Sequence, residues 1–304
     1  MNSKMLSNSL EKLRYGRGLT QDEFVSNIVS IRQYKRYRSG ECDIPYQVLN
    51  LFSKKLQTPL TNLLYEFESE LLLETKAMNE LYNAIVNKDK DSITKYFSKI
   101  DEEFIIDPEN KMYYQLCLLV NNFYNNKISK SNIKLKIFLL ISYPDILKKQ
   151  ILTDIEILVL SSLLDFQSQE ERVILVKKLT DIITKQVIVI SGSSNKIHSL
   201  VLLRLSKYYG ILQDSAQVIK LCNLGIEMGK SARSYYLFDY FYYYLSLAYY
   251  KIDNTSQFKL CIFQCFNTLY LEDNISKIKI FLQLIKDDYD ISYKSFMKSY
   301  LECM

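Results

Sequence analysis

Glycine and proline are scarce in this sequence, with 7 and 4 occurrences among 304 residues. Because these two residues make most tight turns, so few of them predict long helices joined by short polar connections. Histidine occurs once, at His198, and the sequence has no glycine-rich phosphate loop and no nucleophile–base motif. We therefore expect a protein that is not an enzyme and uses no cofactor, and for His198 we expect a capping or surface role.

Long apolar runs are also missing. No stretch approaches the roughly 18 consecutive apolar residues of a membrane helix, and the stretch MNSKMLSNSLEKLR has no apolar signal core. We therefore expect a cytoplasmic protein with no membrane segment. The six cysteines are scattered, and although Cys261 and Cys265 lie one helical turn apart, no second pair completes a zinc site. They are predicted to be reduced, mostly buried thiols.

Positive charge is concentrated in the first part of the chain. Residues 1–66 contain ten Lys or Arg and six Asp or Glu, a balance of +4, whereas the whole chain has 39 and 34, a balance of +5. The rest of the chain therefore carries about +1. A basic first part joined to a nearly neutral remainder points to an anionic partner for the first part alone.

The first 65 residues have the pattern of five short helices. Apolar residues at helical spacing predict the first helix over residues 5–15. Thr20, with a glutamate three positions later, forms the capping box of a second helix, and Ser30 is placed to cap a third helix that ends before Gly40. Proline precedes the fourth and fifth helices, at Pro45 and near residue 59. Two helices joined by a tight turn within such a bundle predict a helix-turn-helix.

The third helix, within IRQYKRYRSG, has an apolar face and a basic face. Ile31, Tyr34 and Tyr37 recur at every third position, so we expect them to face the core. The opposite face carries Arg, Gln and Lys, which bond guanine, adenine and phosphate in the major groove. The predicted DNA-contacting side chains of this helix are Arg32, Gln33, Lys35, Arg36 and Arg38. The alternative is a basic face that contacts only solvent.

The segments GLTQDEF and YKRYRSG together resemble the lambda-repressor-like, or Xre-type, helix-turn-helix, in the version found in Rgg- and PlcR-type regulators of Gram-positive bacteria. The match covers about 65 residues and includes the segment GLTQ, Arg36 and Gly40. The resemblance implies that Gln21 touches a backbone phosphate. Arg38 replaces the acid that is usual at its position in the family's internal ion pair, so we expect Arg38 to meet phosphate instead.

Beyond residue 66 the sequence begins with a long amphipathic helix and then repeats. Polar turn clusters occur near residues 89, 127, 168, 213, 254 and 288, with 34 to 45 residues between neighbours, which is room for two helices. The segments that start at Tyr208 and Tyr249 can be laid over each other. A period near 40 with this content predicts a tetratricopeptide-like α-solenoid of about five degenerate repeats. We therefore expect an all-α protein with a five-helix, lambda-repressor-like domain at 1–65 and a helical-repeat domain at 66–304.

This build resembles the Rgg/PlcR/PrgX group of peptide-sensing regulators, known together as RNPP regulators. The resemblance implies a homodimeric transcription factor that binds double-stranded DNA, with the dimer contacts in the repeat domain. It also implies a short signalling peptide, the pheromone of a quorum-sensing system, bound in the concave groove of that domain. The resemblance is compatible with a transcription activator and with a repressor. Two other interpretations stay open: a phage or plasmid regulator of the same build, and a repeat scaffold that binds a protein partner.

The inner helices of the repeat domain are predicted near residues 113–125, 151–166, 198–211 and 234–251. The side chains that we expect to contact a peptide are Asn121, Asn122, Arg204, Tyr208, Asp239 and Tyr243. An asparagine amide can pair with the N–H and the C=O of an extended peptide, Arg204 could hold a terminal carboxylate, and Asp239 a peptide amine. Tyrosine adds contact area at a low entropy cost. Alternatively, Arg204 and Asp239 pair with each other or face solvent, and the two asparagines cap a helix end.

Overall fold

The structure is a computed structural model that describes residues 3–105, 107–185 and 194–302. Within these ranges the chain forms α-helices and short 3-10 helices and no strand, which confirms the predicted all-α class. The chain divides into two compact units, Met1–Gln115 and Leu116–Met304. The domain boundary after residue 65 falls inside one continuous helix and stays a prediction.

The first unit opens with the five helices that the sequence predicts. They are α1 (Ser3–Gly16), α2 (Gln21–Val25), α3 (Ile31–Ser39), α4 (Tyr46–Lys55) and α5 (Leu60–Val86). Thr20 and Glu23 form the predicted capping box of α2, and the Ser30 hydroxyl accepts the backbone N–H of Gln33 at the start of α3. Gly40 ends α3 with a φ of 80°, the left-handed region that favours glycine.

Aromatic side chains from α2, α3 and α4 form the centre of this core. Phe24 stacks on Phe52 with ring centroids 4.6 Å apart, and Tyr34 meets each of these rings edge-on at 5.7 Å. Tyr37 is buried as well, and Ile31 packs against the same core. The predicted inner face of the third helix is therefore confirmed, and its basic face is left outside the core.

The long helix predicted after residue 66 is also confirmed, because α5 runs for 27 residues without a break. It is followed by α6 (Lys90–Lys99), a 3-10 helix (Glu102–Phe104) and α7 (Pro108–Tyr124). Hydrogen bonds tie the start of α7 to α5. The Tyr113 hydroxyl donates to Asn79 Oδ1 at 3.1 Å, and Asn110 Nδ2 donates to Glu74 Oε2 at 2.8 Å.

The second unit continues as a series of helix pairs. Its further α-helices are α8 (Lys130–Leu140), α9 (Asp154–Ser162), α10 (Gln169–Lys185), α11 (Ser194–Ile211), α12 (Ser215–Ser231), α13 (Phe238–Lys251), α14 (Thr255–Glu272), α15 (Ile275–Tyr289) and α16 (Tyr293–Glu302). Short 3-10 helices lie at Asp145–Lys148 and Leu163–Asp165. Consecutive helices from α11 to α14 pack on each other, and α9 and α13 both contact α11. In an α-solenoid each helix packs on the helix that follows it and on the second helix along the chain, and these contacts have that pattern.

Five of the six polar clusters predicted as turns lie at connections between helices, and the sixth, near residue 288, is wrong because it lies in the last turn of α15, which ends at Tyr289. Two of these connections, 40 positions apart, have the same geometry. Gln213 and Asp253 adopt left-handed backbone angles, with φ of 63° and 57°. The residues that follow them, Asp214 and Asn254, each accept a backbone N–H three positions further on, at 3.1 and 3.2 Å. The repeat is therefore present in the backbone, but its spacing is 40 residues, whereas laying Tyr208 over Tyr249 gives 41. The counterpart of Tyr249 is Tyr209, because the backbone oxygens of these two residues accept the N–H of Asn254 and Asp214, so the predicted register is wrong by one residue.

His198 corrects one expectation. It lies within α11 and is 1% exposed, so the expected capping or surface role is wrong. The helix begins at Ser194, four residues before the predicted inner helix, which places His198 inside the helix and turns it toward α9. Its Nε2 lies 3.8 Å from Asp154 Oδ1. Burial lowers the pKa of His198, and the charge of Asp154 opposes that effect.

The cysteines that the structure describes are free thiols. Cys42 is half-buried, and the buried ones are Cys117, Cys222, Cys261 and Cys265. This confirms the prediction for these five, while Cys303 lies outside the described residues. In the same part of the chain no three His, Cys, Asp or Glu side chains come together to hold a metal ion. None of the helices described there is long and apolar enough to cross a membrane.

Candidate nucleic-acid interface and ligand cavity

The outer face of α3 forms one open groove. The side chains along it are Ser30, Ile31, Arg32, Gln33, Lys35, Arg36, Ser39 and Glu41, and we call this surface the reading groove. Three cations and one acid give it a net charge of +2. It brings together four of the six predicted DNA-contacting residues. Arg32, Lys35 and Arg36 are exposed, and within the described residues Arg32 and Lys35 have no ion-pair partner.

Arg36 and Gln33 are held by weak, exchangeable contacts. Arg36 Nη1 lies 3.4 Å from Gln33 Oε1, and Arg36 Nε lies 3.3 Å from Glu41 Oε2. Gln33 Nε2 donates to Cys42 Sγ at 3.1 Å. The Arg36–Glu41 pair is about half exposed on both sides, and such surface pairs stabilise a protein by roughly 0–1 kcal/mol. These side chains can therefore exchange their partners for a base edge or a phosphate.

The other two predicted DNA contacts, Gln21 and Arg38, converge on Glu11 of α1. Gln21 Nε2 donates to Glu11 Oε1 at 2.7 Å, and Arg38 Nη1 lies 3.6 Å from the same oxygen. Arg14 Nη2 donates to Glu11 at 2.8 Å, and the Tyr34 hydroxyl donates to the other Glu11 oxygen at 2.8 Å. Arg38, on α3, therefore lies within ion-pair distance of an acid on α1.

Sequence reasoning missed Glu11. Its signal was its position as the only acid in α1, one turn before Arg14. Arg14 is the main cause of a low pKa for Glu11, and Gln21 and Tyr34 add to it, so that the pKa falls from 4.5 to about 2 despite burial. Glu11 therefore stays ionised at neutral pH and connects α1, α2 and α3.

In the second unit, charged side chains from α10, α11 and the 3-10 helix Leu163–Asp165 surround a small cavity of about 40 Å³. Its lining is Leu164, Asp165, Arg172, Arg204, Lys207, Tyr208 and Ile211, and we call it the anion cavity. Arg204 Nε lies 3.3 Å from Asp165 Oδ2, and Arg204 Nη1 donates to Ser161 Oγ at 2.7 Å. Lys207 Nζ lies 3.1 Å from Asp165 Oδ1. Burial raises the pKa of Asp165, but the charges of Arg204 and Lys207 outweigh it and hold that pKa below its ordinary value.

A larger, mostly apolar cavity of about 380 Å³ adjoins it. Its lining includes Gly210, Ile211, Val218, Tyr244, Leu247 and Ala248, and we call it the apolar cavity. Lys207 and Ile211 line both cavities, so the two share a wall on the last turns of α11. Sequence reasoning missed this cavity and Arg172, because neither belongs to a single predicted inner helix.

Two of the predicted peptide contacts, Arg204 and Tyr208, line the anion cavity, and the other four do not. Asn121 and Asn122 lie half-buried near the end of α7. The Tyr243 hydroxyl donates to Asp288. The alternative in which Arg204 pairs with Asp239 is wrong, because each has another partner.

Asp239 is buried at the start of α13 and pairs with a lysine from α15. Lys277 Nζ lies 2.9 Å from Asp239 Oδ2 and 2.6 Å from Glu272 Oε2. Burial raises the pKa of Asp239, and Lys277 opposes that effect. Because both charges of the Asp239–Lys277 pair are buried, Asp239 could bind a peptide amine only if this pair were broken.

No protein-family model matches this chain, and no curated protein matches it. Solved structures do. PlcR from Bacillus thuringiensis, in complex with the peptide PapR7 and DNA, is 16% identical over 89% of this chain and 96% of PlcR, with a TM-score of 0.51. ComR from S. thermophilus, in complex with DNA and its signalling peptide ComS, is 14% identical over 93% of this chain and 99% of ComR, with a TM-score of 0.55.

The apo form of the competence regulator ComR from Streptococcus vestibularis is 13% identical over 95% of this chain and 99% of that protein, with a TM-score of 0.51. At these identities the likeness shows the fold alone. The chain therefore has, over nearly the whole length of these proteins, their helix-turn-helix followed by tetratricopeptide-like helical repeats.

Proposed function

We propose that this chain is a sequence-specific DNA-binding transcriptional regulator, is not an enzyme, and works in the cytoplasm as a homodimer. The observation that carries the proposal is the reading groove, where Arg32, Gln33, Lys35 and Arg36 stand on the outer face of a helix capped at both ends. Arg and Lys neutralise phosphates, and Arg and Gln bond base edges bidentately. The groove therefore holds donors for both kinds of contact that a recognition helix makes.

In this proposal residues 1–65 bind DNA, and residues 66–304 bind a ligand and form the dimer. One helix-turn-helix covers a single half-site, and a dimer gains affinity because its second contact is intramolecular. Gln21 and Arg38 belong to the DNA-contacting set if phosphate replaces Glu11 as their partner on binding. Both side chains are only partly buried, so such an exchange needs no rearrangement of the core.

The proposal includes gating by a short signalling peptide bound in the groove of the repeat domain, as in quorum sensing. Its support is that two proteins with this fold, PlcR and ComR, were solved with a peptide and DNA together. Arg204 and Tyr208, which line the anion cavity, stay within the proposed peptide site. Asn121, Asn122, Asp239 and Tyr243 are weaker proposals, since they do not line that cavity.

Fluorescence anisotropy of the full-length chain tests the DNA-binding part. The labelled duplex is taken from directly upstream of the chain's own gene, and an unrelated duplex serves as competitor at several salt concentrations. We expect tight, competitor-resistant binding that weakens steeply with salt. Equal, weak binding to both duplexes at every salt concentration, with and without peptides encoded beside the gene, would contradict the proposal.

Synthetic peptides that match short reading frames beside the gene test the gating. Each is added to the complex of protein and DNA, with a scrambled peptide of the same composition as control. We expect one peptide to change the DNA affinity or the oligomeric state measured by sedimentation. If the protein binds its operator and no peptide changes either quantity, gating is excluded while DNA binding stands.

A further inference from the structure

We propose that the anion cavity binds a carboxylate through Arg172, and that the apolar cavity beside it takes the apolar side chain next to that carboxylate. The inference deepens the proposed function and rests on it for its biological meaning, because it specifies the chemistry of the signalling ligand. It names Arg172, rather than Arg204, as the side chain that has no partner until the ligand binds. The binding step itself can be tested without DNA.

Charge in the anion cavity is unbalanced. Of the described residues that line it, Asp165 is the one acid, and it faces three cations. Asp165 already bonds Arg204 and Lys207, through one carboxylate oxygen each. Arg204 also donates to Ser161. The internal network is therefore complete without the third cation, Arg172, and the lining keeps a net charge of +2.

Arg172 has no partner of its own in this network. Its Nε is buried, and the structure gives it no hydrogen-bond acceptor. Within the described part of the chain, no ion pair or hydrogen bond of the Arg172 guanidinium is found. A buried N–H of a charged group without an acceptor is costly, and an anion that enters the cavity removes this cost. The Arg172 side chain is therefore prepared to bind an anion.

The size and the surroundings of the cavity favour a carboxylate. A volume of about 40 Å³ is small, and a planar carboxylate matches the fork of a guanidinium with two parallel hydrogen bonds. The shared wall of Lys207 and Ile211 leads directly into the apolar cavity. A ligand with a carboxylate next to a large apolar side chain would fill both cavities at once.

Arginine side-chain NMR of the full-length protein tests this assignment. The chain has eight arginines, so the Nε–H spectrum is simple, and the Arg172 signal is identified by its loss in Arg172→Gln. Three probes are titrated: N-acetyl-Leu-Phe with a free carboxylate, its carboxamide, and N-acetyl-Asp-Phe carboxamide. The first offers a terminal carboxylate, the second none, and the third a side-chain carboxylate.

We expect a saturable shift of the Arg172 signal with at least one carboxylate probe, and affinity at least about tenfold weaker for N-acetyl-Leu-Phe carboxamide. The probe that binds tells whether the carboxylate is terminal or on a side chain. Arg172→Gln should lose that discrimination, and Arg233→Gln, at an exposed arginine of the α12–α13 turn, should keep it. Arg172→Lys keeps the charge without the fork, so we expect intermediate affinity.

No saturable shift with either carboxylate probe, or equal affinity for the acid and the amide, would overturn the assignment. Tighter binding of inorganic phosphate than of both carboxylate probes would overturn it as well. Thermal unfolding of each variant separates loss of binding from loss of folding. Because the titration contains no DNA, a negative result does not contradict the proposed DNA binding. In the same way, a protein that fails to bind DNA can still show the carboxylate site in the titration.

Discussion

At the residue scale, Glu11 shows how one carboxylate can hold a recognition helix in place. It accepts hydrogen bonds from Arg14, Gln21 and Tyr34, and Arg38 lies within ion-pair distance. These partners come from three helices. Loss of the charge on Glu11 therefore leaves two arginines without their acid and replaces the charged acceptor of the buried Tyr34 hydroxyl by a weaker, neutral one.

The low pKa of Glu11 predicts a specific dependence of stability on pH. Because this pKa falls from 4.5 to about 2 on folding, ionised Glu11 stabilises the fold fully above about pH 4.5. That stabilisation is lost as the pH falls from about 4.5 toward 2. We expect Glu11→Gln to lower the free energy of unfolding at pH 7, and to lower it less at pH 3, as measured by urea unfolding followed by tyrosine fluorescence.

Glu170→Gln is the matched control for that measurement, since Glu170 is an exposed acid in the second unit. We expect it to change the unfolding free energy little at either pH. A Glu11→Gln variant whose loss of stability is the same at pH 7 and pH 3 would show that the Glu11 network does not depend on its charge.

Arg36 lies in the reading groove and carries a second prediction at this scale. If it reads a base, Arg36→Ala weakens binding to the operator by about 1–3 kcal/mol and relaxes selectivity at one position. Fluorescence anisotropy with the operator and single-base variants measures both effects. Arg233→Ala should leave both unchanged, and an Arg36→Ala variant with wild-type affinity would remove Arg36 from the interface.

At the element scale, two glycines allow α12 and α13 to pack closely. A Cβ atom at Gly225 would lie 2.4 Å from Phe241 Cζ, and one at Gly229 would lie 2.3 Å from Phe238 Cε1. Both glycines and both rings are buried. At Gly229 the Cβ would also lie 2.7 Å from the backbone oxygen of Ser234. A larger side chain therefore fits at Gly225 only if Phe241 moves, and at Gly229 only if the backbone moves as well, so the spacing of this helix pair depends on the two glycines.

Gly225→Ala is therefore predicted to lower the free energy of unfolding by about 1–3 kcal/mol, the usual cost of overpacking. Gly210→Ala is the control, because a Cβ at Gly210 would lie 4.0 Å from the nearest atom, Cγ2 of Val218. Alanine in place of glycine at such a compatible helical position raises the free energy of unfolding by about 0.4–1 kcal/mol. Urea unfolding of both variants measures the contrast. Addition of Phe241→Leu should recover part of the loss, and no loss in Gly225→Ala would contradict the close packing.

At the scale of the whole molecule, charge separates the two proposed tasks. Residues 1–66 carry +4 of the chain's net +5, and the exposed cations Arg32 and Lys35 have no ion-pair partner in the described residues. Electrostatic attraction to DNA should therefore come mainly from residues 1–66.

This distribution predicts the salt dependence of DNA binding. If Arg32 and Lys35 each neutralise a phosphate, the double variant Arg32→Ala/Lys35→Ala reduces the slope of log affinity against log salt by about 1.8, or about 0.9 for each contact. Anisotropy titrations at four or more salt concentrations measure it. Lys220→Ala/Lys259→Ala, which removes two exposed lysines of the second unit, should leave the slope unchanged. Equal slopes in all three proteins would contradict the prediction.

Local signals explain why much of the fold could be predicted. Thr20 with Glu23, Ser30 and Gly40 act within a few positions of themselves, so their spacing alone marks the helix ends. The buried stripe of α3 and the turn at Asp214 follow from the same short-range rules. The expectation for His198 was wrong because α11 begins at Ser194, about one turn before the predicted start at residue 198. Without clear capping residues, the position of a helix end is the least certain part of a prediction.

The sequence by itself determined the helices, their caps, the repeat spacing and the basic face of α3, because each depends on residues close together in the chain. Only the tertiary structure decided which charges meet. Glu11 and Arg38 stand 27 positions apart, and Asp165 and Arg204 stand 39 apart. Such pairs form when helices pack, and helical spacing carries no information about the partner. For the same reason only packing revealed that Arg172 has no partner.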